Sequence, residues 1–258
     1  MPNEPRFSIV TCTWNSAATL GDTLASLDRQ TWRDFEHVFV DGGSTDATLD
    51  LLEACAGPKR ILRGVDGGIS RAMNAGIEAA RGAIVAHLHA DDYYAGPAVL
   101  AQVADCFEAT GAAWVIGNIQ TLRGERLAPP YPMRPFSYRA YAAGSVTIPH
   151  PAVFVRREWF ERVGAFDPGL RYAMDIDLWL RLARRTPPVQ LDATLAVFRE
   201  HAGSVSSNNR ICAREEEFRV RRRYVRYAPL AFAVYCMRYL KRMRALRATP
   251  DGGLETAA

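Results

Sequence analysis

Cysteine is sparse in this 258-residue chain. Cys12, Cys55, Cys106, Cys212 and Cys236 are scattered, and none forms a CxxC pair. That spacing supports neither a zinc-thiolate site nor a disulfide framework, and it suits a reducing compartment. Long apolar runs are missing too: no stretch reaches the roughly 20 apolar residues of a spanning helix. The opening residues MPNEPRFSIV lack the charged-then-apolar pattern of a secretory signal. The expected location is cytoplasmic, free or resting peripherally on the inner face of the cell membrane. No GxGxxG follows a strand-like run and no GxxxxGK[ST] occurs, so neither a dinucleotide fingerprint nor a P-loop is present. Finally, no acid occurs between Phe218 and Arg247, although the formal net charge of the whole chain is only +4.

What is present is ordinary for a globular protein, with 48% hydrophobic and 23% charged residues. The length allows one large domain or two small ones. The run FSIVTCT (7–13) reads as a buried parallel strand. Asn15 or Ser16 can cap the helix that follows, in which Leu20, Leu24 and Leu27 recur. A second strand (35–40) ends in DGGSTD, whose Ser44 or Thr45 can cap a second helix. A short strand (59–63), the turn Asp66-Gly67-Gly68 and a helix (69–81) follow, with Gly82 placed as a C′ glycine. The stretch AIVAHLHADDYY (83–94) then reads as a fourth strand ending at Asp91-Asp92.

This alternation predicts an α/β fold with a mostly parallel, doubly wound sheet. Thr11, Thr13, Asn15, Asp41, Asp66, His89 and Asp91 all follow strands, so they collect along the carboxyl edge, where open α/β folds bind ligands. Carboxylates repel bare phosphate. They suit ribose hydroxyls, a base N–H, or a hard cation that in turn carries phosphate.

The motifs FSIVTCTWN, FEHVFVDGGSTDAT, DGGISRAMNAGIEAARG and HLHADD, in this order and spacing, resemble family 2 glycosyltransferases of the GT-A fold, of the kind found in bacterial cell-surface polysaccharide biosynthesis. The resemblance implies that Thr11 to Asn15 line a nucleotide pocket and that Asp41 contacts the base. It places HLHADD at the family's Asp-x-Asp motif, with Asp91 as ligand of a divalent cation (Mn2+ or Mg2+) on the donor diphosphate. The first acidic position of that motif is His89 here, where an imidazole can hydrogen-bond ribose or ligate manganese. Arg71 can neutralise phosphate or stand as a solvated helix residue.

The second half reads as a helix (97–110), a strand (112–119), a hairpin return (121–127) and a Pro-rich loop (128–135) of the kind that forms a lid or acceptor wall. The resemblance continues in HPAVFVRREWFERVGAFDPGL and MDIDLWLRL. It puts Asp175 on the catalytic position as general base, with Met174 in place of the usual Glu. Asp92, His150 and Asp177 are expected to support the site or contact acceptor, and His201 to sit near the diphosphate and its metal. A base opposite a cation implies single displacement with inversion. The partners implied are a UDP- or GDP-sugar and a glycan or lipid-linked acceptor.

The expected organisation is a GT-A domain over 1–210, with a nucleotide-sugar half to about 119 and an acceptor half beyond. A basic helical extension (211–247) and a tail (248–258) follow. Basic residues interleaved with Tyr224, Tyr227, Phe232 and Tyr235 suit an anionic membrane surface. No nucleic-acid motif accompanies them, so no nucleic-acid partner is expected. Two other readings remain at this level. One is a zinc metallohydrolase using His87, His89 and Asp91, since HLHADD resembles HxHxDH. The other is a GT-A homologue that binds nucleotide without catalysis.

Overall fold

The computed structural model describes residues 4–131, 133–200 and 209–248. Strand β1 (Phe7–Thr13) is buried at every position and pairs in parallel with β2 (Phe35–Asp41) on one side and β4 (Ile84–His87) on the other. Burial on both faces explains why its sequence is a continuous apolar run without alternation. Strand β3 (Lys59–Leu62) pairs in parallel with the far side of β2. Helices α1 (Ala17–Asp28), α2 (Thr48–Ala54) and α3 (Ile69–Ala79) connect these strands. Gly76 lets α3 lie close on the sheet, since a Cβ there would come within 2.3 Å of Val10 Cγ1.

Beyond β4 the sheet becomes mixed. Strand β8 (Val153–Arg156) is antiparallel to β4, and β6 (Trp114–Arg123) is antiparallel to β8. Strand β9 (Val189–Glu200) runs parallel to β6, and the short β5 (Tyr93–Tyr94) caps its edge. The two-residue β7 (Arg126–Leu127) completes the expected hairpin with β6. The described strands form one sheet in the order β3-β2-β1-β4-β8-β6-β9-β5.

One face carries α4 (Val99–Thr110) over Phe7, Ile84, Phe154 and Leu195. The other face buries Val10, Met73, Trp114 and Trp179 beneath α3, α5 (Tyr138–Ala142), α6 (Arg157–Val163) and α7 (Met174–Arg185). The same core takes in Val220 from α8 (Arg210–Arg223), and Tyr224 and Ala228, which precede the long α9 (Pro229–Ala248).

Three local expectations change. The stretch 83–94 is not one strand. It leaves the sheet after His87, turns where Asp92 N–H donates to His89 O, and re-enters as β5 on β9. Helices α1 and α2 begin at Ala17 and Thr48: Ser16 holds the N-cap position of α1 but its side chain makes no capping bond, Ala47 holds that of α2, and Asn15 and Ser44 bind across the loops. Gly82 is not a C′ residue either: α3 has already ended at Ala80, in extended backbone. Gly82 lies under β1, where a Cβ would sit 2.5 Å from both Phe7 C and Ser8 N.

Those are backbone atoms and cannot rotate away. Overpacking of this kind costs about 1–3 kcal/mol. Gly82→Ala is therefore expected to lower the free energy of urea unfolding by that amount. An unchanged midpoint would mean that β1 yields without strain.

Candidate active site

The site is built first from β1 and β2. Asp41 is the last residue of β2, and its carboxylate accepts hydrogen bonds from Thr13 Oγ1 (2.8 Å), Gly43 N (2.9 Å), Ser44 N (2.8 Å) and Ser44 Oγ (2.5 Å). Burial pushes its pKa up, but the bonds from Ser44, Thr13 and Gly43 outweigh this and hold it below the ordinary range. Asn15 adopts a left-handed backbone (φ 49). Its amide oxygen accepts from Thr45 N at 2.8 Å, and its own N–H donates to Ser44 Oγ at 2.9 Å. The DGGSTD loop and the Trp14-Asn15-Ser16 turn are thus locked together. Thr11 departs from expectation: it is fully buried and bonded to His37 Nε2 at 2.8 Å, so it holds strands together beneath the crevice instead of lining it. Asp66 stands exposed in the turn before α3, tied to β2 by Val65 N–H donating to Asp41 O. Arg71, also exposed, folds its side chain back over Gly67.

Trp14 falls within the 11–15 stretch expected to line the pocket, although sequence alone gives it no role of its own. Its side chain is 70% exposed at the crevice mouth, against Gly42. The available signal was an indole placed immediately after a buried strand, where a small capping residue is usual.

The turn after β4 carries a stack of imidazoles. His89 lies parallel to His150 with ring centroids 5.1 Å apart, and His87 meets His150 edge-on at 5.5 Å. His150 precedes β8 in a short 3-10 turn (His150–Ala152) and also contacts Trp179 of α7 at 5.8 Å. His87 Nε2, His89 Nδ1 and His150 Nε2 are buried without a hydrogen-bond partner among the described residues. Burial lowers all three pKa values, that of His87 to about 3, so the cluster is neutral at physiological pH. Asp92 is buried. It accepts Arg199 N–H at 3.0 Å, and burial together with the neighbouring Asp91 raises its pKa well above the usual value. It therefore ties the turn to β9. Asp91 is half-buried on the same turn, and Arg199 Nε donates to its carbonyl oxygen.

Among the described residues, no three His, Cys, Asp or Glu side chains converge as a metal set. This removes the basis for the zinc reading, because His89 stacks flat on His150 instead of converging with His87 on one point. A magnesium-like cation has a different need: one or two carboxylates, with substrate phosphate and water supplying the rest. Asp91 at the strand end fits that requirement. His201 lies outside the described residues.

The opposite wall is the start of α7. Asp175 is the second residue of this helix and not its cap. Its Oδ1 accepts Ile176 N–H at 2.7 Å. Burial raises its pKa to about 6, the hydrogen bond from Ile176 opposes the rise, Glu217 adds to it and Arg221 counters it. The loop that aims this helix is held by Glu216 of α8. Its Oε1 accepts the backbone N–H groups of Arg171 (3.0 Å), Tyr172 (2.6 Å) and Ala173 (2.8 Å). Asp177 is likewise occupied, by Arg181 Nε at 2.8 Å and Tyr224 OH at 2.8 Å. Its carboxylate supports the junction of α7 with α8. Arg221, buried under Tyr141, bonds Glu217 at 2.8 Å.

An α/β sheet with tightly tied polar loops after β1 and β2 and an acidic turn after β4 has the architecture of a GT-A-type sugar transferase. The profile described as "Glycosyl transferase family 2" matches residues 8–164, and the chain belongs to this family. A "PGL/p-HBAD biosynthesis glycosyltransferase" of Mycobacterium bovis is 35% identical over 189 residues, covering 69% of each chain. An uncharacterized glycosyltransferase of Mycobacterium tuberculosis is 32% identical over 203 residues, covering 77% of this chain and 76% of the relative. Among solved structures, S. aureus TarS 1-349 in complex with UDP-GlcNAc superposes with a TM-score of 0.70 at 20% identity. That match covers 83% of this chain and 64% of the TarS fragment. The mannosyltransferase PcManGT from Pyrobaculum calidifontis, in complex with GDP-Man and Mn2+, has a TM-score of 0.64 at 19% identity and covers 96% of this chain and 77% of that one. The protein is a glycosyltransferase.

Glu216→Ala removes the acceptor of three amides at the entry to α7. Leaving such groups unanswered costs about 2–4 kcal/mol in total. The variant is expected to unfold at correspondingly lower denaturant concentration, and Glu216→Gln, which keeps a carbonyl oxygen, to lose less. Equal stability of all three proteins in urea titrations would contradict this role.

Proposed function

We propose that this glycosyltransferase moves a sugar from a nucleoside-diphosphate donor to a hydroxyl of a glycan or lipid-linked acceptor, with inversion and with help from a divalent cation. The observation that carries this reading is Asp175, a carboxyl with its pKa raised to about 6 at the start of α7. A general base works best when its pKa lies near the operating pH. His89, His150 and Trp179 connect this helix to the Asp91 turn through successive ring contacts. These contacts support a reading in which the proposed base and the proposed cation ligand stand on two walls of one crevice.

In the proposed reaction Asp175 accepts the proton of the acceptor hydroxyl as its oxygen bonds to the anomeric carbon. The bond from that carbon to the diphosphate oxygen breaks in the same displacement, on the opposite face, which inverts the configuration. Asp91 would hold the cation, which when bound supplies charge neutralisation to the departing diphosphate. Thr13 and Asn15 keep the Asp41 loop in shape for the base, and Trp14 offers a stacking surface to it. Neutral His89 can donate or accept one hydrogen bond at the ribose. The UDP-GlcNAc and GDP-Man complexes of the neighbours support a nucleotide-sugar donor, the Mn2+ of PcManGT supports a divalent cation, and the named role of the M. bovis relative supports a glycolipid acceptor.

A membrane-surface location has its own support. Helix α9 exposes Leu230 (83%), Met237 (65%) and Leu240 (53%) beside Arg238, Lys241 and Arg244. Among the described residues no helix is long and apolar enough to cross a membrane. Exposed apolar side chains interleaved with cations, and with no acid among them, suit an anionic interface. Sedimentation with phosphatidylglycerol vesicles is expected, and should fall on Leu230→Glu/Met237→Glu substitution. Equal sedimentation with neutral phosphatidylcholine vesicles would sink the electrostatic part.

Two measurements test the chemistry. Turnover should decline as pH drops through about 6, since only ionised Asp175 can take a proton, and Asp175→Asn should lose about 100- to 10,000-fold in kcat. At pH 8 the same variant should melt above the wild type, because the wild-type carboxylate is ionised there in a place that burial disfavours. Robust transfer by Asp175→Asn refutes the assigned base. Full activity after chelation, without added Mn2+ or Mg2+, refutes the cation.

A further inference from the structure

A second cavity of ≈ 450 Å³ opens on the acceptor side of the sheet, and the crevice chemistry above makes no use of it. Its floor is the middle of β6, from Gly117 to Ile119. Because β6 pairs antiparallel with β8, and β8 with β4, this part of β6, still paired with β9, extends past β8 on the side of the sheet where β4 ends at His87. One wall includes Pro149, the residue before His150, so the cavity borders the imidazole stack on the side away from the Asp41 loop. The second wall is the Pro-rich loop, through Tyr131 and Met133. The third is α9, which contributes Arg238 and Arg242 one helical turn apart.

Three arginines line it, Arg134 of the loop and Arg238 and Arg242 of α9, and the α9 pair is the informative feature. Among the described residues neither member of the pair has an ion pair or hydrogen bond with a carboxylate, and their own helix holds no acid to neutralise them. Other arginines near this end of the molecule are engaged: Arg221 with Glu217, and Arg223 with Asp167. Two unneutralised cations at i and i+4, beside Tyr131 and Met133, form a site for an oxyanion attached to an apolar body. With Arg134 added, the local positive charge suits a phosphate better than a single carboxylate. The exposed Leu230 and Met237 lie about a third of a turn around the same helix, so an apolar tail leaving the cavity toward them meets apolar side chains.

We infer that this cavity binds a phosphate group carried by an amphipathic acceptor, with Arg238 and Arg242 on the phosphate and Tyr131 and Met133 against the adjoining apolar segment. The inference rests on the transferase reading and narrows it: the acceptor is anchored by its phosphate here while a separate hydroxyl reaches Asp175. The donor diphosphate belongs on the other side of His150, with the β1 and β2 loops.

The test is calorimetric binding of three probes below their critical micelle concentrations: octyl phosphate, the neutral octyl glucoside and inorganic phosphate. Octyl phosphate should bind about tenfold more tightly than either of the others, a gap of the size expected for charge-assisted hydrogen bonds. The double variant Arg238→Ala/Arg242→Ala should bind it no better than octyl glucoside. Arg238→Lys/Arg242→Lys should retain part of the difference, and it covers the case in which the alanine variant misfolds. Unchanged affinity in the alanine variant overturns the site. Inorganic phosphate binding as tightly as octyl phosphate overturns the lipid source, because the apolar wall would then contribute nothing. Titration of the wild type with UDP and GDP runs alongside. Silence there would sink the transferase reading and leave the octyl phosphate comparison to stand or fall by itself.

Discussion

A buried carboxylate that gathers backbone N–H groups is the interaction on which this active-site region depends. Glu216 receives three consecutive amides at the entry to α7. Without an acceptor, those amides would sit where water cannot easily replace it. The loop they belong to sets where α7 begins, and therefore where Asp175 stands. Asp41 does the same for the DGGSTD loop, with two amides and two hydroxyls, and Asp92 for the β4 turn, with an amide of β9. Each of these loops is fixed by an acidic side chain that accepts hydrogen bonds from the backbone around it.

This arrangement also changes the meaning of the C-terminal helices. A run rich in arginine looks like a solvated appendage. In the fold, α8 supplies Glu216 and Glu217, Arg221 lies buried beneath Tyr141, and Val220 and Tyr224 join the main core. Its outer arginines secure that attachment, since Arg223 pairs with Asp167 and reaches Asp177. Helix α9, by contrast, presents Arg238, Lys241 and Arg244 outward from a stretch that holds no acid.

The nucleotide half was legible in the sequence because parallel strands buried on both faces leave an unmistakable signature, and β1, β2 and β4 carry it. Fold class and family followed from there. The individual acids were less legible. Asp41, Asp92 and Asp177 share the composition of ligand-binding carboxylates, yet hydrogen bonds to loop amides and neighbouring side chains occupy them. Such partners come from tertiary structure, which strand and helix periodicity does not encode. Thr11 misled for a related reason: alternation along β1 turned it toward His37, inside. Glu216 was invisible as a site residue, because it lies 43 positions after Ala173, whose amide it receives, in a stretch dominated by positive charge.

The imidazole stack has one more consequence. His89, His150 and Trp179 fill the space between the β4 turn and α7 with neutral rings. The charged neighbours that bear on Asp175 include Glu217 and Arg221. Close-packed rings yield little to compression, so the β4 turn and α7 are held at a fixed spacing by side chains that carry no charge needing water.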